Sequence, residues 1–253
     1  MLGGCKWLAL EVTSLDPVVE FYRERLDLEP IVRSDREVAF PIGPDGDTER
    51  TQRSSDRSGS ETGSELRLRR PEGVPRGGIH THYAFACPSD AYDHWYERLD
   101  VHLELQEVDF GSMRSLYGDD PAGNCVEIAG ADPPSGSDDL QLTRFFEVVL
   151  EVEELPDAES LYVDLGFEVV DRGSNRRRTR LSTGTFDLEL WEPHLGLADA
   201  RGGVHVDLGL EAADPVAVTD AVSDRVTKRE HLEEGVRIRD RDGHYVTLVD
   251  ADV

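Results

Sequence analysis

Gly77-Gly78-Ile79-His80-Thr81-His82-Tyr83-Ala84-Phe85 returns in character as Gly202-Gly203-Val204-His205-Val206-Asp207-Leu208-Gly209-Leu210. A second pair follows in the same order. Asp120-Pro121-Ala122-Gly123-Asn124-Cys125-Val126-Glu127 corresponds to Asp240-Arg241-Asp242-Gly243-His244-Tyr245-Val246-Thr247. Two matched stretches in one order make the halves of the chain homologous. Outward from them each half divides again. Segments beginning at Lys6, Ile79, Phe145 and Val204 each read as a short strand, a turn with Asp, Ser or Pro, an amphipathic helix and further strands.

The strands rest on alternation. Leu8, Leu10 and Val12 share one face and Trp7, Ala9 and Glu11 the other, the two-residue period of a half-buried strand. Val148, Leu150 and Val152 repeat it against Glu147, Val149 and Glu151. The helices rest on apolar stripes at i, i+3, i+4, i+7: Tyr92, Trp95, Tyr96 and Leu99, then Ala158, Leu161, Tyr162 and Leu165. Leu15, Val19, Tyr22 and Leu26 predict the first helix, and Val218, Ala221, Val222 and Val226 a weaker fourth. Asp16-Pro17 and Asp214-Pro215 place a capping residue before a first-turn proline.

Residues 43–63 contain no side chain able to anchor them and read as a long mobile loop inside the first unit. The break at Asp132-Pro133-Pro134-Ser135-Gly136-Ser137 predicts a linker over 132–141, dividing an N-terminal domain, 1–131, from a C-terminal one, 142–253.

The chain has 253 residues, with 27 basic and 53 acidic side chains for a formal charge of −26. Only Lys6 and Lys228 are lysines. Nucleic acid is excluded as an expected partner, because a phosphate backbone needs a positive surface. This composition resembles that of cytoplasmic proteins from salt-in halophiles. At molar salt the screening length is about 3 Å, so an acidic coat repels itself weakly. Most carboxylates therefore read as coat, and a cytoplasmic location is expected. No stretch approaches the roughly 18 apolar residues of a membrane helix, so no membrane partner is expected. Cys5, Cys87 and Cys125 are too scattered for a disulfide framework or a Cys-x-x-Cys metal site.

Four such units in two pairs resemble the vicinal oxygen chelate superfamily, which includes glyoxalase I, extradiol dioxygenases, fosfomycin-resistance enzymes and bleomycin-binding proteins. Ala9-Leu10-Glu11-Val12 through Phe21-Tyr22, His82-Tyr83-Ala84-Phe85 and Asp120 through Glu127 carry the resemblance. It implies an α+β fold of four βαβββ units, paired into two domains with cupped mixed sheets. It also implies a divalent metal, Fe, Mn, Ni or Zn, held by the first and last strands of paired units, and no organic cofactor. The family positions fall on His82 and Glu127 in the second unit and on Trp7 in the first, where an indole can only donate. The end of the first unit falls near Glu65 or Arg67, of which only Glu65 could ligate. In the second half they fall on Glu147, Glu189, Asp207 and Thr247, without a histidine, which argues against a typical two-domain dioxygenase.

The expected centre is then His82, Glu127 and Glu65 in the N-terminal cup, with Glu127 either ligating or transferring a proton. Trp7, His80 and Cys125 are expected to line that pocket, His80 through its shared strand face with His82. Glu147, Glu189 and Asp207 form a second candidate, suited to Mg or Ca if they converge. Arg176-Arg177-Arg178 reads as a solvated hairpin turn. Two functions remain open on these residues. One is a metal-dependent lyase, isomerase or dioxygenase acting on a small oxygenated metabolite. The other is a metal-free protein that sequesters a planar ligand. Either a monomer or a homodimer fits.

Overall fold

The computed structural model describes residues 2–43, 63–72, 78–136, 140–174, 177–193 and 205–250, without the side chains of His205 and Val206. Nearly all of the expected loop 43–63 lies outside these residues, as do Arg176, His194 and 137–139 of the expected linker. The first unit runs β1 (Leu2–Glu11), α1 (Leu15–Arg25), β2 (Ile31–Val32), β3 (Glu37–Ile42) and β4 (Ser64–Arg69). The second runs β5 (His80–Pro88), α2 (Tyr92–Asp100), β6 (Gln106–Asp109), β7 (Arg114–Asp119) and β8 (Cys125–Asp132). The third is β9 (Arg144–Glu151), α3 (Leu155–Leu165), β10 (Glu168–Arg172), β11 (Arg178–Ser182) and β12 (Asp187–Trp191). The fourth is β13 (His205–Ala212), α4 (Pro215–Ala221), β14 (Lys228–Leu232), β15 (Gly235–Arg239) and β16 (Tyr245–Asp250).

These strands form two eight-stranded mixed sheets, ordered β14-β15-β16-β13-β1-β4-β3-β2 and β10-β11-β12-β9-β5-β8-β7-β6. Within every unit the first strand lies parallel to the last, and the sheets close where first strands meet antiparallel, β1 on β13 and β5 on β9. The first unit thus shares a sheet with the fourth, and the second with the third. Hydrogen bonds run across the expected boundary at 132–141. The linker itself favours this. Asp132 O accepts from Ser89 N at 3.0 Å and Thr143 N donates to Ala86 O at 2.9 Å, so the chain is pinned beside β5 and the next strand falls alongside it, as consecutive elements usually do.

The units of one half are tied differently. Tyr22 of α1 donates to Asp120 at 3.0 Å and touches the Tyr83 hydroxyl, while Tyr162 of α3 donates to Asp240 at 2.9 Å. These aspartates head the repeated motif. Asp120 also accepts the backbone N–H groups of Ala122 and Asn124, and Asp240 that of His244. Gly123 and Gly243, at φ +80 and +98, let the turns close. The repeat is therefore a turn built to receive a tyrosine from the preceding unit's helix.

Burial follows the expected periods in β1, α2 and α3, whereas in α1 Val18 is buried rather than Val19 and in α4 Ala221 is exposed and Thr219 buried. Leu8, Leu10 and Val12 enter the main core, whereas Trp7 and Ala9 face away from it with Val249. Tyr92, Trp95 and Leu99 are buried along α2, and Ala158, Leu161, Tyr162 and Leu165 along α3. Each fully buried side chain of this size contributes roughly 1.5–3 kcal/mol. Asp214 caps α4 by accepting from Ala217 N at 2.9 Å. At α1 the capping position is Ser14, two residues earlier than the Asp16 expected, and its side chain makes no cap bond.

Candidate metal centre

The four central strands of the second sheet, β8, β5, β9 and β12, set the site. Across β5 and β9, His82 pairs with Val149 and Ala84 with Glu147. In the flanking parallel pairs Glu127 lies beside Ala84 and Glu189 beside Val149. Residues in register share a face, so His82, Glu127, Glu147 and Glu189 all project from the same side, while Tyr83, Phe85, Val148 and Leu150 enter the core behind.

His82 Nε2 stands 3.2 Å from Glu127 Oε2 and 3.6 Å from Glu147 Oε1. One donor atom from each of these buried residues lies within 4.8 Å of the others. Glu127 Oε2 has no aligned hydrogen-bond donor despite its burial, nor has His82 Nδ1 a partner. A buried carboxylate oxygen and an imidazole nitrogen that approach without bonding suit a shared cation between them. Burial pulls the His82 imidazole down, but Glu127 and Glu147 outweigh it and push it up to about 9. Two carboxylates and one imidazole make a donor set that fits a divalent transition metal.

Around this group, Arg180 bonds Glu147 Oε2 and donates through Nε to Glu189 Oε1 at 2.7 Å. Arg178 reaches the same Glu189 oxygen at 3.1 Å, and Trp191 Nε1 donates to Glu189 Oε2 at 2.5 Å. Burial and the neighbouring Glu147 raise the Glu189 carboxyl, against the two arginines. The His82 ring meets Tyr117 and Trp191 edge-on, at 5.4 and 5.9 Å between centroids. A cavity of about 470 Å³ opens over the group, its walls including Tyr117, Trp191, Phe110 and Met113.

The structure thus brings together His82 and Glu127 from the expected first centre with Glu147 and Glu189 from the expected second. It does not bring Glu65, Trp7 or Asp207. Those lie in the other sheet, where the register is the same: Trp7 faces Gly209 as Glu147 faces Ala84, and Asp207 faces Ala9 as His82 faces Val149. Arg67 there lies beside Ala9 as Glu189 lies beside Val149, so the uncertain fourth position falls on Arg67. Glu65 sits two residues away, bonded to Arg33 at 2.5 Å and Arg67 at 2.9 Å. Asp207 is held by Arg237 at 2.8 Å and Thr247 at 2.7 Å, with Trp7 Nε1 at 3.4 Å. Arg67 lies 3.9 Å over the Trp7 ring. Each polar group in this second set is occupied by a neighbour, with the indole in the middle.

His80 departs from its expected place for a local reason. The β5–β9 register slips by one residue between His80 and His82, and such a bulge reverses the facing of the residues beyond it. His80 pairs with Leu150 and packs 5.7 Å from Tyr83, fully buried, with neither ring nitrogen bonded. Burial first, then His244 and His82, lower its imidazole to about 3. Cys125 is buried and is not a wall of the cavity. Arg178, expected in a solvated turn, starts β11 inside the site, while Arg177 pairs with Glu192 at 2.5 Å. Arg178, Arg180, Tyr117 and Trp191 were not among the expected site residues. The Arg178-Thr179-Arg180-Leu181 alternation carries the signal for the arginines: two cations on one strand face.

No protein-family model matches the chain. It is 24% identical over 135 residues to metallothiol transferase FosB of Staphylococcus haemolyticus, covering 51% of this chain and 84% of that protein. Its fold matches maize (Zea mays) glyoxalase I at TM-score 0.66, with 19% identity over 97% of this chain and 92% of the other. It also matches a protein of Bacillus subtilis subsp. subtilis str. 168 that carries a provisional dioxygenase name, at TM-score 0.68 and 15% identity, over 98% and 84% of the two chains. Among the described residues no helix is long and apolar enough to cross a membrane. With two mixed sheets of paired βαβββ units and inward donors on their central strands, the chain has the two-domain α+β fold seen in maize glyoxalase I and the Bacillus subtilis protein.

Proposed function

We propose that the chain is a metal-dependent enzyme of the lyase, isomerase or dioxygenase type, acting on a small oxygenated metabolite in the cavity of the second sheet. One observation carries this reading: His82, Glu127 and Glu147 present three buried donor atoms within 4.8 Å of one another, on the floor of an open cavity. The names of the relatives, a metallothiol transferase and a glyoxalase I, support it. His82, Glu127 and Glu147 would hold the cation; Glu65, in the other sheet, is not part of this reading. A divalent cation there supplies a Lewis acid for negative charge developing on substrate oxygen.

The remaining work belongs to the chain. Glu127, whose Oε2 is unbonded and 3.2 Å from His82, would either ligate or leave the cation to take a proton from a substrate carbon and return it to a neighbouring one. Tyr117 borders Glu127, and burial together with Glu127 and Glu147 holds its phenol protonated, so it remains a donor. Trp191, Phe110 and Met113 offer flat and flexible apolar surface to the rest of the ligand.

Metal analysis of the full chain purified in molar KCl tests the reading. Close to one equivalent of a transition metal is expected, falling below about a tenth in His82→Ala, since a lost donor removes most of the affinity. A metal-free wild type would leave the aromatic-walled cavity as a binding pocket and favour the sequestering protein.

A further inference from the structure

Glu189 occupies the fourth inward position of the sheet, yet its two oxygens differ in surroundings from those of its neighbours. Oε1 receives Arg178 Nη1 and Arg180 Nε, and Oε2 receives the Trp191 indole N–H. A carboxylate ligates only through an oxygen lone pair directed at the cation, and three N–H groups, two of them charged, take three of the roughly four lone-pair sites of Glu189, two on Oε1 and one on Oε2. Glu127 Oε2 and Glu147 Oε1 are instead the atoms turned toward His82 Nε2. Glu147 is divided between two tasks, with Oε1 facing the imidazole and Oε2 held by Arg180.

We propose that Arg178, Arg180 and Trp191 withhold Glu189 from the metal centre, so that the centre has three protein donors, and that Arg180 is a positioning residue fixing the rotamer of Glu147. This rests on the reading of His82, Glu127 and Glu147 as cation ligands. The charges agree with it. Glu127 and Glu147 balance a divalent cation, while Glu189 balances one of the two guanidinium groups beside it. The corresponding position in the first sheet, Arg67, is likewise given to charge pairing, with Glu65 at 2.9 Å. Three protein donors leave one more open position than four would. That suits a ligand that chelates through two oxygens while a further small molecule remains bound.

The test uses Co2+ as the probe, added to the full chain after chelator treatment in molar KCl, with affinity and visible absorption as readouts. Glu189→Gln should change the Kd by no more than about threefold and leave the spectrum unaltered, whereas Glu147→Gln should weaken binding at least about a hundredfold, as loss of a donor does. Arg180→Gln should weaken binding roughly 10–100-fold and shift the spectrum, with Arg180→Lys restoring part of both. Arg180→Gln decides the matter alone should Glu189→Gln fail to fold. Glu189→Gln as damaging as Glu147→Gln, or Arg180→Gln without effect on affinity and spectrum, would overturn the proposal while leaving the metal reading intact. A wild type that takes up no Co2+ would overturn the metal reading, and this one with it.

Discussion

Gly209 shows how a single side chain distinguishes two equivalent cups. It faces Trp7 across β1 and β13, and a Cβ there would lie 2.3 Å from the indole ring carbons. The equivalent pair in the other sheet is Ala84 and Glu147, where a methyl group fits because a carboxylate is slimmer than an indole. Gly209→Ala should therefore destabilise the protein by about 1–3 kcal/mol, the usual cost of overpacking a filled core. Urea unfolding in molar KCl measures this, and Co2+ affinity should stay within about twofold of wild type, because the disturbed cup is not the one that gathers His82, Glu127 and Glu147. His82, Glu127, Glu147, Glu189 and Asp207 were visible in the sequence, since each follows from its place in a repeated unit, whereas Tyr117, Arg178, Arg180 and Trp191 were not. The grouping of the first five was not visible either. Nothing in residues 1–131 alone distinguishes Glu65 from Glu147 as the companion of His82, because the choice depends on which first strands meet.

At the scale of elements, the two aspartate-headed turns and the helices above them are the most regular devices in the fold. Tyr162→Phe removes the phenol that donates to buried Asp240 and should cost about 1–3 kcal/mol, the penalty for a buried acceptor left without its partner. Tyr22→Phe should cost no less, because Tyr83 shares its hydroxyl contact with Asp120. Equilibrium unfolding of the two variants gives the comparison. Helix starts provide a second one. Asp214→Ala should cost about 0.5–2 kcal/mol, whereas Ser14→Ala, whose side chain makes no cap bond, should stay below about 0.5 kcal/mol. Strand faces and helix stripes were legible because burial imposes periods of two and 3.6 residues on the sequence. The bulge that turns His80 into the core leaves no such trace, since one extra residue in a strand looks like ordinary alternation until its partner is known.

For the whole molecule, the charge of −26 predicts that the fold depends on salt. Close carboxylates on the surface repel each other over about 8–10 Å in ordinary buffer and over about 3 Å at 1 M salt. Lowering KCl from about 3 M to 0.2 M should drop the midpoint of thermal unfolding by at least about 10 °C, a shift of several kcal/mol for a chain of this size. An unchanged midpoint would show that the acidic surface carries no such burden. The sheets themselves have a consequence for how the polypeptide is made. The second and third units are neighbours in sequence, so the sheet that gathers His82, Glu127, Glu147 and Glu189 can assemble while synthesis is still under way. The first unit emerges earliest and waits longest, for the edge of β1 stays bare until the last unit leaves the ribosome. The segment most exposed to wrong pairing during birth is thus the one farthest in sequence from its proper neighbour.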